Sequence, residues 1–201
     1  MGVAKKAAVE TRGGTPVLAF KSGKALAAWL KKNHATGKGL WIKLAKKATG
    51  TASVTYDEAV DEAICQGWID GHKAGLDDAW WLQKFTPRGP RSIWSKINRE
   101  RVARLTKEGR MAPAGAAAVA RAKQGGQWDG AYDSPKNATV SPEFKKALDQ
   151  SKAAAAFFAT LNGANRYAIL WRIQTAKKPE TKARRIGTFI AMLERKEKLH
   201  P

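Results

Sequence analysis

The sequence WIDGHKAGLDDAWWLQKF, residues 68–85, carries the pattern from which we predict the fold of the first half of the chain. Its two ends, residues 68–73 and 79–85, are rich in the aromatic and apolar residues that favour strands. Between them lies AGLDD, residues 74–78, whose glycine and aspartates are typical of a turn. The pattern predicts a β-hairpin. Because side chains alternate along a strand, one of the neighbours Trp80 and Trp81 should face each side of the sheet.

The segments before the hairpin predict one more strand and two helices. In residues 40–44 the apolar residues alternate with Trp41 and Lys43, which predicts a strand. Ser22 is placed to cap a helix that ends near residue 36, and Thr55 with Glu58 fits a capping box for a helix over residues 56–66. Further helices are predicted over residues 92–107 and 113–123. Together these elements predict an α+β domain over residues 16–123, with a small antiparallel sheet of about three strands packed with helices.

The two flanks of that domain have a different composition. Residues 1–15 lack any apolar period and predict a mobile tail. Residues 124–141 are rich in Gly, Ser, Pro, Asn and Asp, which predicts a linker. Residues 142–201 then show helical spacing of apolar residues throughout, with helices expected at about 142–161, 165–176 and 180–198. The sequence therefore predicts a C-terminal helical domain of about three helices after the linker.

Composition excludes several classes of function. The chain of 201 residues carries 37 Lys and Arg against 17 Asp and Glu, a net charge of +20. Its longest uninterrupted apolar stretch is seven residues, Ala153 to Ala159, against the roughly 20 that span a bilayer, so we expect no integral membrane segment. The N-terminal residues lack the apolar region of a secretory signal, so we expect a cytoplasmic protein. A single cysteine and three histidines predict no disulfide, no metal site and no cofactor.

Two long runs carry a resemblance to a known family. They are GWIDGHKAGLDDAWWLQKFTPRGPRSIWSKINRERVARLTKEGRMAPAG at residues 67–115 and FFATLNGANRYAILWRIQTAKKPETKARRIGTFIAML at residues 157–193. They resemble the bacterial proteins called YdeI/OmpD-associated, or bacteriocin-protection YdeI, over residues from about 17 to 198. The resemblance implies a small α+β unit with a C-terminal helical unit. By its name it also implies association with an outer-membrane porin and resistance to cationic antimicrobial peptides, and it implies no catalytic residue.

The segment FTPRGPRSIWSKINRER, residues 85–101, is the candidate anion site. Ser92 is expected to cap the helix that follows the Pro/Gly turn, and the free N–H groups at a helix N-terminus attract phosphate. The alternative is that Arg88 and Arg101 form internal ion pairs with Asp70, Asp77 or Asp78. The candidate anion-binding residues are Arg88, Arg91, Ser92, Asn98 and Arg101.

A second candidate site lies on the hairpin. Asp70 and His72 are alternate residues of a strand and would share one face, where a carboxylate beside an imidazole can act as an acid/base pair. With Trp80 and Trp81 they make a possible pocket. Adding Cys65 would give a Cys/His/Asp triad, although a lone cysteine beside Ile64 is more often a buried small hydrophobe.

Tryptophan is frequent, and two interpretations of it stay open. The chain has eight tryptophans, and most of them should anchor the core. Trp41 and Trp68 lie on predicted neighbours of the hairpin strands, so with Trp80 or Trp81 they could instead form an aromatic platform for a base or a sugar.

Charge points to a polyanionic partner. Seven of the 17 carboxylates lie between residues 57 and 78, so the remainder of the chain is more basic still. We therefore predict a non-catalytic protein that binds a polyanion, with nucleic acid phosphates as the expected partner. A small phospho-ligand or enzymatic site beside the hairpin and a protein–protein role in envelope-stress protection, with a partner unknown, are the alternatives. The candidate nucleic-acid contacts are Lys96, Arg99, Lys177, Lys178, Lys182, Arg184 and Arg185.

Overall fold

A computed structural model describes residues 10–201 of the chain. In that range it is an α+β protein with eight α-helices and a five-stranded sheet, so the predicted fold class is confirmed. The chain divides into two compact units. Among the described residues, the sheet unit comprises residues 10–92 and Asn98–Asp129, and the helical unit comprises Ile93–Ile97 and Gly130–Pro201.

The sheet has five strands in the order β1-β2-β3-β5-β4. They are β1 (Thr11–Arg12), β2 (Thr15–Ala19), β3 (Leu40–Ala45), β4 (Trp68–Gly75) and β5 (Trp80–Pro87). β4 and β5 form the predicted antiparallel hairpin, and β3 pairs antiparallel with β5. β2 pairs parallel with β3, so the sheet is mixed and has five strands where the sequence predicted an antiparallel sheet of about three.

Strands β1 and β2 occupy part of the segment that the sequence predicted as a tail. Residues 1–9 of that segment lie outside the described residues. Thr11 and Arg12 pair with Pro16 and Thr15 across a turn at Gly13 and Gly14. Both glycines have positive φ, which a residue with a Cβ rarely adopts, and this allows so tight a reversal.

Two helices pack on one face of the sheet, which we call the inner face. Helix α1 (Gly23–Asn33) begins at Ser22, whose hydroxyl accepts a hydrogen bond from the Ala25 amide at 3.3 Å. Helix α2 (Tyr56–Cys65) has the predicted capping box. Trp29 of α1 meets the buried Trp68 of β4 edge to face, with ring centroids 6.3 Å apart. Both capped helix starts predicted from sequence are therefore confirmed.

The register of β3 against β5 assigns the two adjacent tryptophans to opposite faces. Leu44 pairs with Trp81 on the inner face, and Ala45 pairs with Trp80 on the other, outer face. The inner residues of β3, Leu40, Ile42 and Leu44, are all fully buried. The prediction that Trp80 and Trp81 face opposite sides is thus confirmed.

A β-bulge interrupts β4 between Asp70 and Lys73. The side chain of Gln83, which is 3% exposed, donates hydrogen bonds to the carbonyls of Gly71 at 2.8 Å and His72 at 3.3 Å. A buried amide thus satisfies carbonyls that the broken ladder leaves without a strand partner.

The helix predicted from Ser92 begins later than expected. Helix α3 spans Lys96–Lys107, whereas the Ser92 amide bonds to the Gly89 carbonyl in a turn. Ser95 forms an isolated β-bridge with Tyr132, and this extended pairing keeps the backbone out of the helix before Lys96. Helix α4 follows as Pro113–Gln124.

The helical unit has four helices where the sequence predicted three. They are α5 (Pro142–Gln150), α6 (Lys152–Thr160), α7 (Gly163–Gln174) and α8 (Pro179–Glu194). Ser151 has an extended backbone, ends α5 and caps α6 through its hydroxyl, so the single helix predicted over residues 142–161 is divided. Phe144 and Phe158 meet edge to face in the core at 5.4 Å.

The segment predicted as a linker contributes to both compact units. Residues 125–129 belong to the sheet unit and residues 130–141 to the helical unit, where Ala131 and Ser134 are buried. Within residues 10–201, the helices are all too short or too polar to cross a membrane.

Candidate functional site

Helices α2 and α3 are joined by a network of ion pairs. Asp61 is buried and binds two arginines, Arg101 at 2.7 Å and Arg104 at 2.5 Å. Arg101 also bonds to Asp57. Burial opposes the charged form of Asp61, but the hydrogen bonds from Arg104 and Arg101 outweigh burial and lower the pKa of this carboxyl. The network extends through Arg104 to Glu108 and through Arg110 to Glu108 and Glu62.

One residue of the predicted anion site, Arg101, belongs to this ion-pair network. Arg101 forms an internal ion pair, as the alternative interpretation expected, but with Asp57 and Asp61 instead of Asp70, Asp77 or Asp78. The carboxylates that bind Arg101 lie on helix α2, whereas the sequence had suggested carboxylates of the β4–β5 hairpin. The packing of α3 against α2, which determines these partners, has no signal in the local sequence.

The other candidate anion residues have different environments. Arg88 is buried, with its amide bonded to the Gly67 carbonyl at 2.9 Å, whereas Arg91 is exposed. Asn98 is half-buried on α3. Since α3 starts at Lys96, Ser92 does not occupy the cap position that the predicted phosphate site required.

Most of the acidic cluster at residues 57–78 has an internal role. Glu58 completes the capping box of α2, and Asp70 accepts a hydrogen bond from the Tyr56 hydroxyl at 2.8 Å. Asp77 accepts from the Ala79 and Trp80 amides at 2.8 Å each and so shapes the hairpin turn. With the three carboxylates of the ion-pair network, six of the seven acids bind groups of the protein itself.

The candidate pocket on the hairpin is not assembled. Asp70 faces Tyr56, whose pKa is raised by burial and by the Asp70 charge, while His72 is exposed in the bulge. The bulge shifts the register after Asp70, so alternation no longer places the two side chains together. Trp80 and Trp81 lie on opposite faces of the sheet.

The Cys/His/Asp alternative also lacks support. Cys65 is 2% exposed, and burial together with the Glu62 charge raises the pKa of its thiol to about 11. A thiol with that pKa is protonated at neutral pH and is a poor nucleophile. The interpretation as a buried small hydrophobe therefore describes Cys65.

The outer face of the sheet combines tryptophan with cations. Trp41 lies between Arg12 and Lys84, whose charged groups are 5.2 Å and 5.7 Å from its ring centroid. Beside it, Lys43 pairs with Glu10 at 2.7 Å. Trp41 packs with Val17 and Leu82 in a small apolar cluster that is nearly inaccessible to solvent.

Trp80 lies on this same face and is partly exposed. Of the four tryptophans considered for an aromatic platform, Trp41 and Trp68 are buried and Trp81 packs against Tyr56 on the inner face. Trp80 is the ring that remains accessible on the outer face. No sequence signal identifies Arg12 and Lys84 as part of this face, because their position depends on the β1–β2 hairpin and on strand register.

Several predicted nucleic-acid contacts bind the protein itself. Lys96 pairs with Asp133 at 2.7 Å, and Lys182 pairs with Glu143 at 3.0 Å. Arg99 donates to the Trp128 carbonyl at 3.0 Å. Arg185 donates to the carbonyl of Arg172. Lys177, Lys178 and Arg184, around the turn between α7 and α8, are exposed.

Comparison with known protein families gives two matches, in separate parts of the chain. A model described as a domain of unknown function, DUF8412, matches residues 18–118, which is half of the chain. The chain belongs to the DUF8412 family. In this DUF8412 protein, residues 137–196 also match a model described as Bacteriocin-protection, YdeI or OmpD-Associated, which confirms over those residues the resemblance seen in the sequence. No curated protein and no solved structure matches the chain. Within residues 10–201, no three His, Cys, Asp or Glu side chains are grouped to hold a metal ion.

Proposed function

We propose that this protein is a non-catalytic polyanion-binding protein, that single-stranded nucleic acid is its ligand, and that the outer face of the sheet binds it. The observation that carries the proposal is the position of Trp80 on the same face as Arg12 and Lys84. Cations that follow a phosphate backbone next to an accessible aromatic ring are the usual means of binding single strands without sequence preference.

The distribution of charge supports this proposal. Three of the seven carboxylates in residues 57–78, Asp57, Asp61 and Glu62, are paired with arginines, which offsets their repulsion toward a polyanion. The chain as a whole carries a net charge of +20. A field of that sign raises the local concentration of nucleic acid and accelerates association at low salt.

Trp80 provides the preference for single strands. A base can stack on a tryptophan only when it is not paired and stacked within a duplex. Trp41 does not serve this purpose, because its ring is 7% exposed and lies between Arg12 and Lys84. We therefore assign stacking to Trp80 and phosphate contacts to Arg12 and Lys84, with Lys43 held by Glu10.

The exposed residues Lys177, Lys178 and Arg184 of the helical unit are the remaining candidates for phosphate contact. Their contribution would be purely electrostatic, because the residues on the turn between α7 and α8 offer no accessible ring. Neutralising them should weaken binding without changing the preference for single strands.

Fluorescence anisotropy with labelled single-stranded and duplex oligonucleotides of equal length tests the proposal. Trp80→Leu should weaken single-strand binding by about tenfold, since stacking of one base is worth about 1–3 kcal/mol. The matched control is Trp81→Leu, the next residue along β5 but on the inner face. Equal affinity of Trp80→Leu and the unaltered protein, with circular dichroism showing both folded, would refute the stacking role.

Because nucleic acid is the proposed ligand, cell fractionation should find the protein in the cytoplasm.

The family match supports a second candidate function. Residues 137–196 match a family described by bacteriocin protection and association with OmpD, which implies a protein partner in the envelope. Deleting the gene and measuring survival under bacteriocin tests that role. If survival falls and the Trp80→Leu protein restores it fully, protection does not depend on nucleic-acid stacking.

A further inference from the structure

A groove of about 450 Å³ runs along one side of α7 in the helical unit. Its floor is formed by residues one turn apart on that helix, from Gly163 through Tyr167 to Trp171 and Arg172. Pro135 and His200 form its sides. This volume lies within the range of about 300–1,000 Å³ that is typical of small-molecule sites.

The walls of the groove are held in place by buried hydrogen bonds. Asn165 is 1% exposed, and its Oδ1 accepts from the amides of Leu199 at 3.0 Å and His200 at 2.9 Å. Its Nδ2 donates to the His200 carbonyl at 3.2 Å. One buried amide therefore fixes the C-terminal segment, and with it His200, beside the first turn of α7.

The aromatic floor is fixed in the same way. The Tyr167 hydroxyl donates to the Asp133 carbonyl at 3.1 Å, and burial raises the pKa of Tyr167 to about 12, so the donor stays protonated. Trp171 meets Tyr132 edge to face at 5.9 Å. Both residues are half-buried and line the groove. Such preformed aromatic walls reduce the entropy that a ligand loses on binding.

The polar groups of the groove favour an anion. Arg172 donates one hydrogen bond, from Nη1 to the Ala168 carbonyl at 2.8 Å. A guanidinium has five N–H donors, and among residues 10–201 the other four of Arg172 have no protein partner. His200 and the N-terminal residues Gly163 and Ala164 of α7 line the other end of the groove. None of the described residues that line the groove carries a carboxylate side chain.

We propose that this groove binds a small organic anion with a flat aromatic body, its ring against Trp171 and Tyr167 and its carboxylate or phosphate at Arg172. The aromatic floor selects the flat body, because offset stacking favours aromatic ligands. The guanidinium selects the anionic group through paired charge-assisted hydrogen bonds. The groove lies in the helical unit and shares no residue with the outer face of the sheet to which we assign nucleic-acid binding.

Titration calorimetry of the full chain with naphthoate tests this site. Naphthoate should bind at one site per chain with a Kd of about 1 mM or lower, as its size implies. Two probes separate the two parts of the ligand: neutral naphthamide keeps the ring, and acetate keeps the charge. Both should bind at least about tenfold more weakly than naphthoate. Equal affinity for naphthoate and naphthamide would overturn the role of Arg172.

Matched variants locate the binding. Arg172→Gln should weaken naphthoate about tenfold, whereas Arg184→Gln, which removes the same charge from an exposed position of α8, should have no effect. Ala164→Trp should block the groove, and Ala183→Trp on α8 is its control. If all four variants bind naphthoate equally well, the ligand binds elsewhere on this basic protein and the proposal fails. Loss of binding in Ala164→Trp alone would keep the site but reject Arg172 as the anion contact.

Discussion

Replacing Asp61 with asparagine should destabilise the sheet unit by removing the central anion of the α2–α3 network. In the native protein Asp61 accepts one hydrogen bond from Arg101 at 2.7 Å and another from Arg104 at 2.5 Å. An asparagine side chain has nearly the same shape as that of Asp61 but carries no negative charge. Two arginines then remain at a position where the side chain of residue 61 is only 12% exposed.

The magnitude follows from how buried the arginines are. Breaking a fully buried ion pair costs about 3–5 kcal/mol, because the remaining charge is left without compensation. The Arg101 side chain is 20% exposed and keeps Asp57, and Arg104 is 46% exposed and keeps Glu108. Water and these second partners offset part of the loss, so we expect Asp61→Asn to lower the free energy of unfolding by about 2–3 kcal/mol.

Urea denaturation followed by circular dichroism measures this change. The control is Asp149→Asn, which removes the carboxylate of an exposed i,i+4 pair with Lys145 and should cost less than about 0.5 kcal/mol. The pKa of Asp61 is lowered in the folded state, so its stabilisation is complete above the unfolded pKa of about 4 and is lost as pH falls through the folded value. Stability of the unaltered protein should therefore fall more steeply in acid than that of Asp61→Asn. Equal stability of the two Asp→Asn variants would refute the reasoning.

Three further predictions concern buried polar groups and the cysteine. Gln83→Leu should lower the free energy of unfolding by about 1–3 kcal/mol in thermal or urea melts, because the carbonyl of Gly71 in the bulge loses its donor; an unchanged value would contradict this. Asn165→Ala should speed hydrogen exchange of the His200 amide, measured by NMR, while an unchanged rate would show that another contact holds the C-terminal segment. Cys65, with a thiol pKa of about 11, should react with a thiol reagent at mildly alkaline pH only after denaturant is added, and rapid labelling of the native protein would show that it is accessible.

Local sequence signals were sufficient for the elements that local chemistry specifies. The capping box of Thr55 and Glu58, the cap at Ser22 and the turn of the β4–β5 hairpin are all made by residues within a few positions of one another. Such hydrogen bonds form in the same way wherever the segment is packed, so the sequence pattern predicts them.

Features that depend on distant pairing could not be predicted. Strand β1 has two residues, too few to show a period, and it exists because Gly13 and Gly14 turn it onto β2. The break at Ser151 lies inside an alanine-rich segment that favours a continuous helix.

The candidate site was only partly predictable for the same reason. Alternation placed Trp80 and Trp81 on opposite faces, as the strand register shows, whereas the polyanionic ligand inferred from charge composition stays a prediction. Neither the composition nor the alternation of side chains could show that Arg101 is bound by Asp57 and Asp61 of another helix. Nor could they show that Arg12 and Lys84 lie against Trp41. Those contacts arise from helix packing and strand register, which have no local signature.

The salt dependence of single-strand binding is the most direct test of whether the outer face of the sheet binds nucleic acid. The double variant Arg12→Gln/Lys84→Gln should have a shallower slope of log K against log salt than the unaltered protein, by about 1.4, since each phosphate contact on a single strand contributes about 0.7. The control Lys31→Gln/Lys32→Gln removes two exposed charges from α1, on the inner side of the sheet, and should keep the original slope. Equal slopes for all three proteins, or no binding of single strands at low salt, would contradict the assignment of the outer face as the nucleic-acid surface.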